Sequence, residues 1–282
     1  MNLFPRVTEK TFLYAGANGR IASGSVFLSD EHMSPRPVLF VCHGFKAFKD
    51  WGFFPYLGKF FADAGYYVVT FNLSHNGCDE SGREEADLSA FKENRFSFEE
   101  ADLRNIRLEL QQKKLPKATL ADETNIHLLG HSRGGSTIIR CADMSGVRSL
   151  VLLASISRYP QVSGAEETAW RRDGEYWIEN QRTKTRLPLG VGLLDEMIQD
   201  RDLLEIRAKE ITLPVCIVHG SHDLTVPASA GAELSTWAKN SELHLLEGAG
   251  HTFEIKHPCR ELSPAFENLL RIVSSFLNTH SA

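Results

Sequence analysis

A doubly wound α/β fold, a mostly parallel sheet with helices on both faces, is what this 282-residue sequence predicts. Three observations predict it. Short apolar runs alternate with amphipathic stretches along most of the chain. The runs are continuous in Val, Ile and Leu rather than alternating, as strands buried on both faces require. The length suits one large domain, or one domain carrying a small insertion.

The elements follow in order. Lys10–Tyr14 and Arg20–Leu28 alternate apolar and polar residues and read as an antiparallel hairpin. Asn18-Gly19 between them supplies the positive φ angles of a tight turn. After a breaker at Ser34–Pro37 come the buried-type strands Val38–Cys42, Tyr66–Phe71, Asn125–Leu129, Ser149–Ala154, Val215–His219 and Glu242–Leu246. Helical patterns occupy Phe53–Ala64, Phe98–Lys113, Gly135–Asp143, Ala228–Lys239 and Pro264–Asn278. Strand–helix alternation implies right-handed crossovers and helices on both faces. One segment breaks the rhythm: about sixty residues, Ser155–Leu213, separate two strands that a short helix would normally join. It carries Trp170, Tyr176, Trp177 and helix-like pieces such as Gly192–Lys209. A connection this long is expected to be a small helical subdomain, and its aromatics favour a lid over a pocket.

Composition narrows the function. Lys plus Arg is 31 and Asp plus Glu 36, a formal charge of −5, which supplies no electrostatic reason for a nucleic-acid or anionic-membrane partner. The five cysteines (Cys42, Cys78, Cys141, Cys216, Cys259) have no CxxC spacing, so neither a disulfide framework nor a zinc cluster is suggested. MNLFPRVTEK lacks an apolar signal core and no apolar run is long enough to span a bilayer, so the expectation is a cytoplasmic protein. The oligomeric state is left open.

The chemistry is concentrated at strand ends. Gly130-His131-Ser132-Arg133-Gly134 is G-x-S-x-G between a strand and a helix, the context in which that motif presents a nucleophile. The serine hydroxyl needs a base. Gly248-Ala249-Gly250-His251, after the Glu242–Leu246 strand, offers His251 to take the proton and return it to the leaving group. His219-Gly220-Ser221-His222-Asp223 follows the preceding strand and offers Asp223 to orient the imidazole. The chain order is Ser132, Asp223, His251. At the end of Val38–Cys42, His43-Gly44-Phe45 forms a glycine turn. The backbone N–H groups of Phe45 and Arg133 would converge on a developing oxyanion.

These motifs, HGF (43–45), GHSRGG (130–135), HGSHDLTVP (219–227) and GAGH (248–251), resemble those of serine hydrolases of the α/β-hydrolase superfamily. The pairing of HGF with GHSxGG is similar to the branch of cinnamoyl (feruloyl) esterases and dienelactone-hydrolase-like proteins. The resemblance spans residues 38 to 279. It implies an α/β-hydrolase core of residues 1–154 and 214–282, with 155–213 a helical cap. It also implies a carboxylesterase acting on small acyl or aromatic esters through an acyl-enzyme, without metal or organic cofactor. Peptidase, thioesterase or acyltransferase chemistry on the same triad are alternatives, and a non-catalytic binding protein on the scaffold is a further one. Arg133 departs from the branch, which often has glutamine or another uncharged residue there.

Plainer readings attach to the other candidates. His219, His222 and Asp223 form an H-x-x-H-D string without a second ligand cluster. His43 and His131 abut the glycine turns and suit hydrogen bonds to backbone. Asn72–Gly77 follows a strand and is expected on the rim of the site, with His75 either touching substrate or capping the loop. Lys46, Phe48, Lys49, Trp51, Phe53 and Phe54 follow the oxyanion turn. The aromatic residues there suit core packing, and any facing outward would line a pocket. Arg158, Arg171, Arg172, Arg182, Lys184 and Arg186 in the insertion alternate with Glu166, Glu167, Asp173, Glu175 and Glu179, a solvated charged face.

Overall fold

A computed structural model describes residues 4–31 and 34–281. Met1–Leu3, the start of the stretch inspected for a signal core, lie outside them. The elements run β1 (Val7–Ala15), β2 (Ile21–Ser29), β3 (Arg36–Cys42), α1 (Phe54–Asp63), β4 (Tyr67–Phe71), α2 (Leu88–Lys92), α3 (Phe96–Gln111), β5 (Ala121–His131), α4 (Arg133–Arg140) and β6 (Val147–Leu153). The insertion then contributes α5 (Gly164–Asp173), β7 (Glu175–Glu179), β8 (Arg186–Gly190), α6 (Val191–Gln199) and α7 (Leu203–Glu210). β9 (Val215–Gly220), α8 (Ser229–Trp237), β10 (Ser241–Leu246) and α9 (Pro264–His280) complete the chain.

Eight strands form one sheet in the order β1-β2-β4-β3-β5-β6-β9-β10. From β4 to β10 neighbours are parallel, whereas β2 is antiparallel to both β1 and β4. The amino-terminal hairpin thus extends one edge, and its turn uses Asn18 at φ 53° and Gly19 at φ 71°. The inner parallel strands are largely buried on both faces, unlike the edge strand β10, and β3 shows why the run is continuously apolar. Val38, Phe40 and Cys42 enter a core shared with Leu103, Ile106 and Ile138 of α3 and α4. Leu39 and Val41 enter the opposite core with Phe54, Phe61, Phe266 and Val273 of α1 and α9. Successive side chains alternate faces, so a polar residue at an inner strand position must find a partner inside the core, as His127 of β5 does in the Ser149 hydroxyl of β6. Each fully buried Leu or Phe contributes about 1.5–3 kcal/mol.

Local signals fix the helices. α9 begins where Ser263 Oγ accepts the Phe266 N–H at 3.0 Å, with Pro264 in its first turn. Phe266, Leu269, Leu270, Val273, Phe276 and Leu277 recur at helical spacing and are buried. In the insertion, α5 opens with a capping box between Ser163 and Glu166. The insertion also holds an antiparallel hairpin, β7–β8, in addition to the expected helices. The stretch expected as one helix, Gly192–Lys209, is two helices, because Asp200–Asp202 turns between α6 and α7. Among the described residues, no helix is long and apolar enough to cross a membrane.

Buried histidines govern the acid stability of this fold. Burial lowers the pKa of His43, His75 and His127 to about 4 and of His131 to about 3. Unfolded histidine titrates near 6.5, so between about pH 6.5 and 4 the unfolded chain binds protons that the folded chain refuses. Stability therefore falls on acidification, by up to about 1.4 kcal/mol per pH unit for each histidine. Asp102 works in the opposite sense. Burial raises its carboxyl to about 7, so its contribution is lost as pH rises from about 4 to 7. Four imidazoles outweigh one carboxyl. Calorimetry is expected to show Tm falling steadily from pH 6.5 to 4.5. His127→Gln, at a site where the ring bonds the Ser149 and Ser281 hydroxyls, should flatten the slope. A Tm constant across that window would contradict the account.

Candidate active site

β5 passes into α4 through Ser132, which sits at φ 56°, ψ −123°. A non-glycine residue there carries about 1–3 kcal/mol of strain, so its surroundings must hold it. They do so from both sides: the Ser132 N–H donates to the Leu153 carbonyl at 2.8 Å, and its own carbonyl accepts from Gly135 N–H at 3.0 Å. The flanking glycines are a steric requirement of the turn. A Cβ at Gly130 would lie 2.3 Å from the Gly134 carbonyl oxygen, and one at Gly134 would lie 2.5 Å from those of Cys42 and His43. The second contact shows how tightly the α4 terminus docks on the end of β3.

Asp223 and His251 meet across the ends of β9 and β10. His251 Nδ1 donates to Asp223 Oδ2 at 2.7 Å. Asp223 Oδ1 accepts from the backbone N–H of Thr225 at 2.8 Å and of Val226 at 2.9 Å. Burial alone would raise this carboxyl, but hydrogen bonds from His219, His251 and Val226 hold it well below the usual carboxylate range. The acid is thus ionised and fully enclosed, and the proton on Nδ1 leaves Nε2 of His251 free to accept another. His131 packs behind His251: its Nε2–H donates to the His251 carbonyl at 2.9 Å, and the two rings lie 4.8 Å apart. Because burial keeps His131 neutral, it adds no positive charge beside His251.

The glycine turn after β3 lies over the serine. A Cβ at Gly44 would stand 3.5 Å from Ser132 Oγ. Among the described residues, neither the Phe45 N–H nor the Arg133 N–H has a protein acceptor, so both are available to an oxygen at the serine. His43 braces the turn, with Nδ1–H donating to the Gly44 carbonyl at 2.8 Å and Nε2 accepting the Leu73 N–H at 3.1 Å.

The Arg133 side chain turns inward, a placement that the motif does not foretell. It is 6% exposed and forms a two-pronged pair with Glu99, itself 2% exposed, at 2.8 and 3.2 Å. Arg133 also donates to Asn94 Oδ1, and Thr137 donates to Glu99 at 3.1 Å. The guanidinium lies 4.8 Å from the Phe45 ring and 4.4 Å from the Phe96 ring. One buried cation therefore joins α3, α4 and the oxyanion turn.

Ser132, His251, Gly44, Phe45 and Arg133 line a single cavity of about 1060 Å³, with Asp223 behind His251. Its outer wall comes from the insertion, including Trp170, Tyr176, Ile178, Leu189, Leu193 and Met197. The β7–β8 hairpin is tied to the loop after β4: Arg182 pairs with Glu84, and Asn180 and Thr183 donate to Glu85 at 2.6 and 2.7 Å. Three further cationic residues of the insertion pair within it, Arg171 with Glu167 and Asp195, Arg172 with Asp173, and Lys184 with Glu179, whereas the Arg186 guanidinium lies over the Trp177 ring at 5.2 Å.

The remaining candidates divide between structural positions and the cavity wall. His219 is buried, its Nε2 3.0 Å from the Val226 carbonyl and 3.5 Å from Asp223 Oδ2, whereas His222 is exposed. The loop expected on the rim does not line the cavity: His75 is buried against Phe98 and bonds Ser74 Oγ at 2.8 Å. Phe53 and Phe54 are core, while Lys46 and Trp51 face the cavity. Burial pushes the Cys78 thiol up to about 12 and Cys42 well above its usual value, which removes both as nucleophiles.

A model of the alpha/beta hydrolase family matches residues 38–265. No curated protein matches the chain. Among solved structures, Est1E from Butyrivibrio proteoclasticus is similar at 16% identity and TM-score 0.69, covering 96% of this chain and 98% of its own. The esterase domain of a Rhodothermus marinus protein is similar at 16% identity and TM-score 0.66, over 98% of this chain and 100% of its own. An acylaminoacyl peptidase from Pyrococcus horikoshii is similar at 15% identity and TM-score 0.66, over 98% of this chain but 42% of its own.

Proposed function

The chain belongs to the alpha/beta hydrolase family, and from that premise we propose that it is a serine hydrolase cleaving carboxylic esters through an acyl-enzyme. One observation carries the reading: the 2.7 Å bond from His251 to a buried, ionised Asp223, on a cavity shared with a strained Ser132. Ser132 Oγ attacks the ester carbonyl as His251 Nε2 takes its proton. The carbonyl oxygen, now negative, accepts hydrogen bonds from the Phe45 and Arg133 N–H groups. Collapse expels the alcohol, which receives the proton from His251. Water, deprotonated by His251, then attacks the acyl-serine and releases the acid and Ser132. Asp223 holds the imidazole in the tautomer this requires and stabilises it when charged. Each oxyanion donor is worth about 10²–10³ in rate.

Small acyl or aromatic esters suit the cavity, with residues 155–213 acting as a cap above it. The apolar wall of Phe45, Phe96, Trp51, Trp170 and Ile156 supports that choice. Est1E, of similar fold, is known with ferulic acid bound. The test is covalent. A fluorophosphonate probe is expected to label the native chain, and peptide mapping to find the adduct on Ser132. An unlabelled chain, or an adduct elsewhere, would overturn the assignment, since a binding protein on this scaffold has no activated serine.

A further inference from the structure

The charged residues lining the cavity differ in one respect, whether they have a partner. Arg133 pairs with Glu99 at 2.8 Å. Arg158 pairs with Glu205 at 3.0 Å and Glu233 at 3.4 Å. Arg182 pairs with Glu84, and Glu166 accepts from Ser163 at the start of its own helix. Lys46 is the exception. Among the described residues, its ammonium has no carboxylate partner and no hydrogen bond. Its neighbour is the Phe45 ring, whose centroid lies 5.9 Å from Nζ. The side chain is half-buried in the cavity wall, and burial lowers its pKa.

An ammonium withdrawn from water and left without a counter-ion is a cost that this chain avoids at every other lining cation. Its position is also specific. Lys46 follows directly on Phe45, the residue whose N–H faces the reacting oxygen, and holds a left-handed φ of 58°. The ammonium thus belongs to the turn that packs on Ser132, on a cavity wall that also carries Phe45, Trp51 and Phe96. Resting on the serine-hydrolase reading above, we propose that the preferred substrate is an ester with an apolar body and a free carboxylate a few bonds from the scissile carbonyl, received by Lys46. A charge-assisted bond in such a half-dry site discriminates about tenfold or more against an uncharged analogue.

The test compares monoethyl adipate with ethyl heptanoate, and O-butanoyl glycolate with ethyl butanoate, so that the carboxylate lies on the acyl side in one pair and the alcohol side in the other. Two readouts are used: kcat/KM by pH-stat, and the slowing of fluorophosphonate labelling of Ser132, which needs binding but no turnover. In the native protein, at least one charged ester is expected to exceed its neutral counterpart about tenfold in one readout. Lys46→Met should erase that ratio and Lys46→Arg should retain it, with thermal melts establishing that both variants fold. No charged-over-neutral preference in the native protein, or a preference that survives in Lys46→Met, overturns the proposal. Absence of any labelling of the native chain overturns instead the serine-hydrolase reading on which it rests.

Discussion

Alanine at Ser132 is expected to lower kcat for p-nitrophenyl acetate about 10⁶-fold, and Asp223→Asn about 10⁴-fold. The two numbers differ because the residues do different work. In the proposed mechanism Ser132 supplies the nucleophile, and without it only the oxyanion donors and binding remain. Asp223 supplies no atom to the product. Its Oδ1 accepts two backbone N–H groups and its Oδ2 accepts the imidazole proton at 2.7 Å. An asparagine in that pocket keeps its oxygen toward the two amides and turns its NH₂ toward His251. The imidazole must then carry its proton on Nε2, where it cannot receive one from serine. KM should change little, since Asp223 lies outside the cavity wall. The double variant should be no slower than Ser132→Ala alone, because a base without a nucleophile has nothing to deprotonate. If Asp223→Asn kept activity within tenfold of native, Asp223 would be removed from the mechanism. Independent additive losses would separate it from Ser132.

The sheet and the strand-end motifs were readable because each rests on a local rule. A two-sided strand is dominated by apolar residues, as in Val38–Cys42, and this sharp strand-to-helix turn needs glycine at 130 and 134, where any Cβ would meet backbone oxygen. Asp223 and His251 were readable by position at strand ends, and their side chains do meet. The hairpin Glu175–Glu179 with Arg186–Gly190 was not readable. Both strands lie outside the main sheet, so no two-faced burial marks them, and their side chains mix exposed Trp177 with buried Leu187. The loop at His75 was misplaced because a position after a strand fixes which end of the sheet a loop occupies, not how far it reaches over the site. The Glu99–Arg133 pair depends on a contact between residues 34 apart in the chain, which no short motif records. One faint signal was available. Glu99 and Asp102 fall on the same stripe of α3 as Phe96, Leu103, Ile106 and Leu110, and an acid on an apolar stripe needs a buried partner.

That partner makes Glu99→Ala the largest stability change expected outside the core. Removing the carboxylate leaves the Arg133 guanidinium enclosed between the Phe45 and Phe96 rings, with Asn94 its remaining side-chain acceptor. An uncompensated buried charge costs about 3–5 kcal/mol. For a chain of this size that corresponds to a Tm lower by about 5–8 °C. The pair itself need not be worth so much, because ionising and burying both groups is also costly. Glu99→Ala/Arg133→Met, which removes both charges and leaves an apolar side chain between the two rings, should therefore recover most of the loss. Methionine retains the backbone N–H at residue 133, so the oxyanion donor survives in the double variant. Its esterase activity should follow its stability back toward native, whereas Glu99→Ala, with the cation loosened beneath Phe45, should lose kcat. A loss below about 1 kcal/mol in the single variant, or a double variant no more stable than the single, would mean that water reaches the guanidinium. In that case Arg133 would not be the buried strut between α3, α4 and the oxyanion turn.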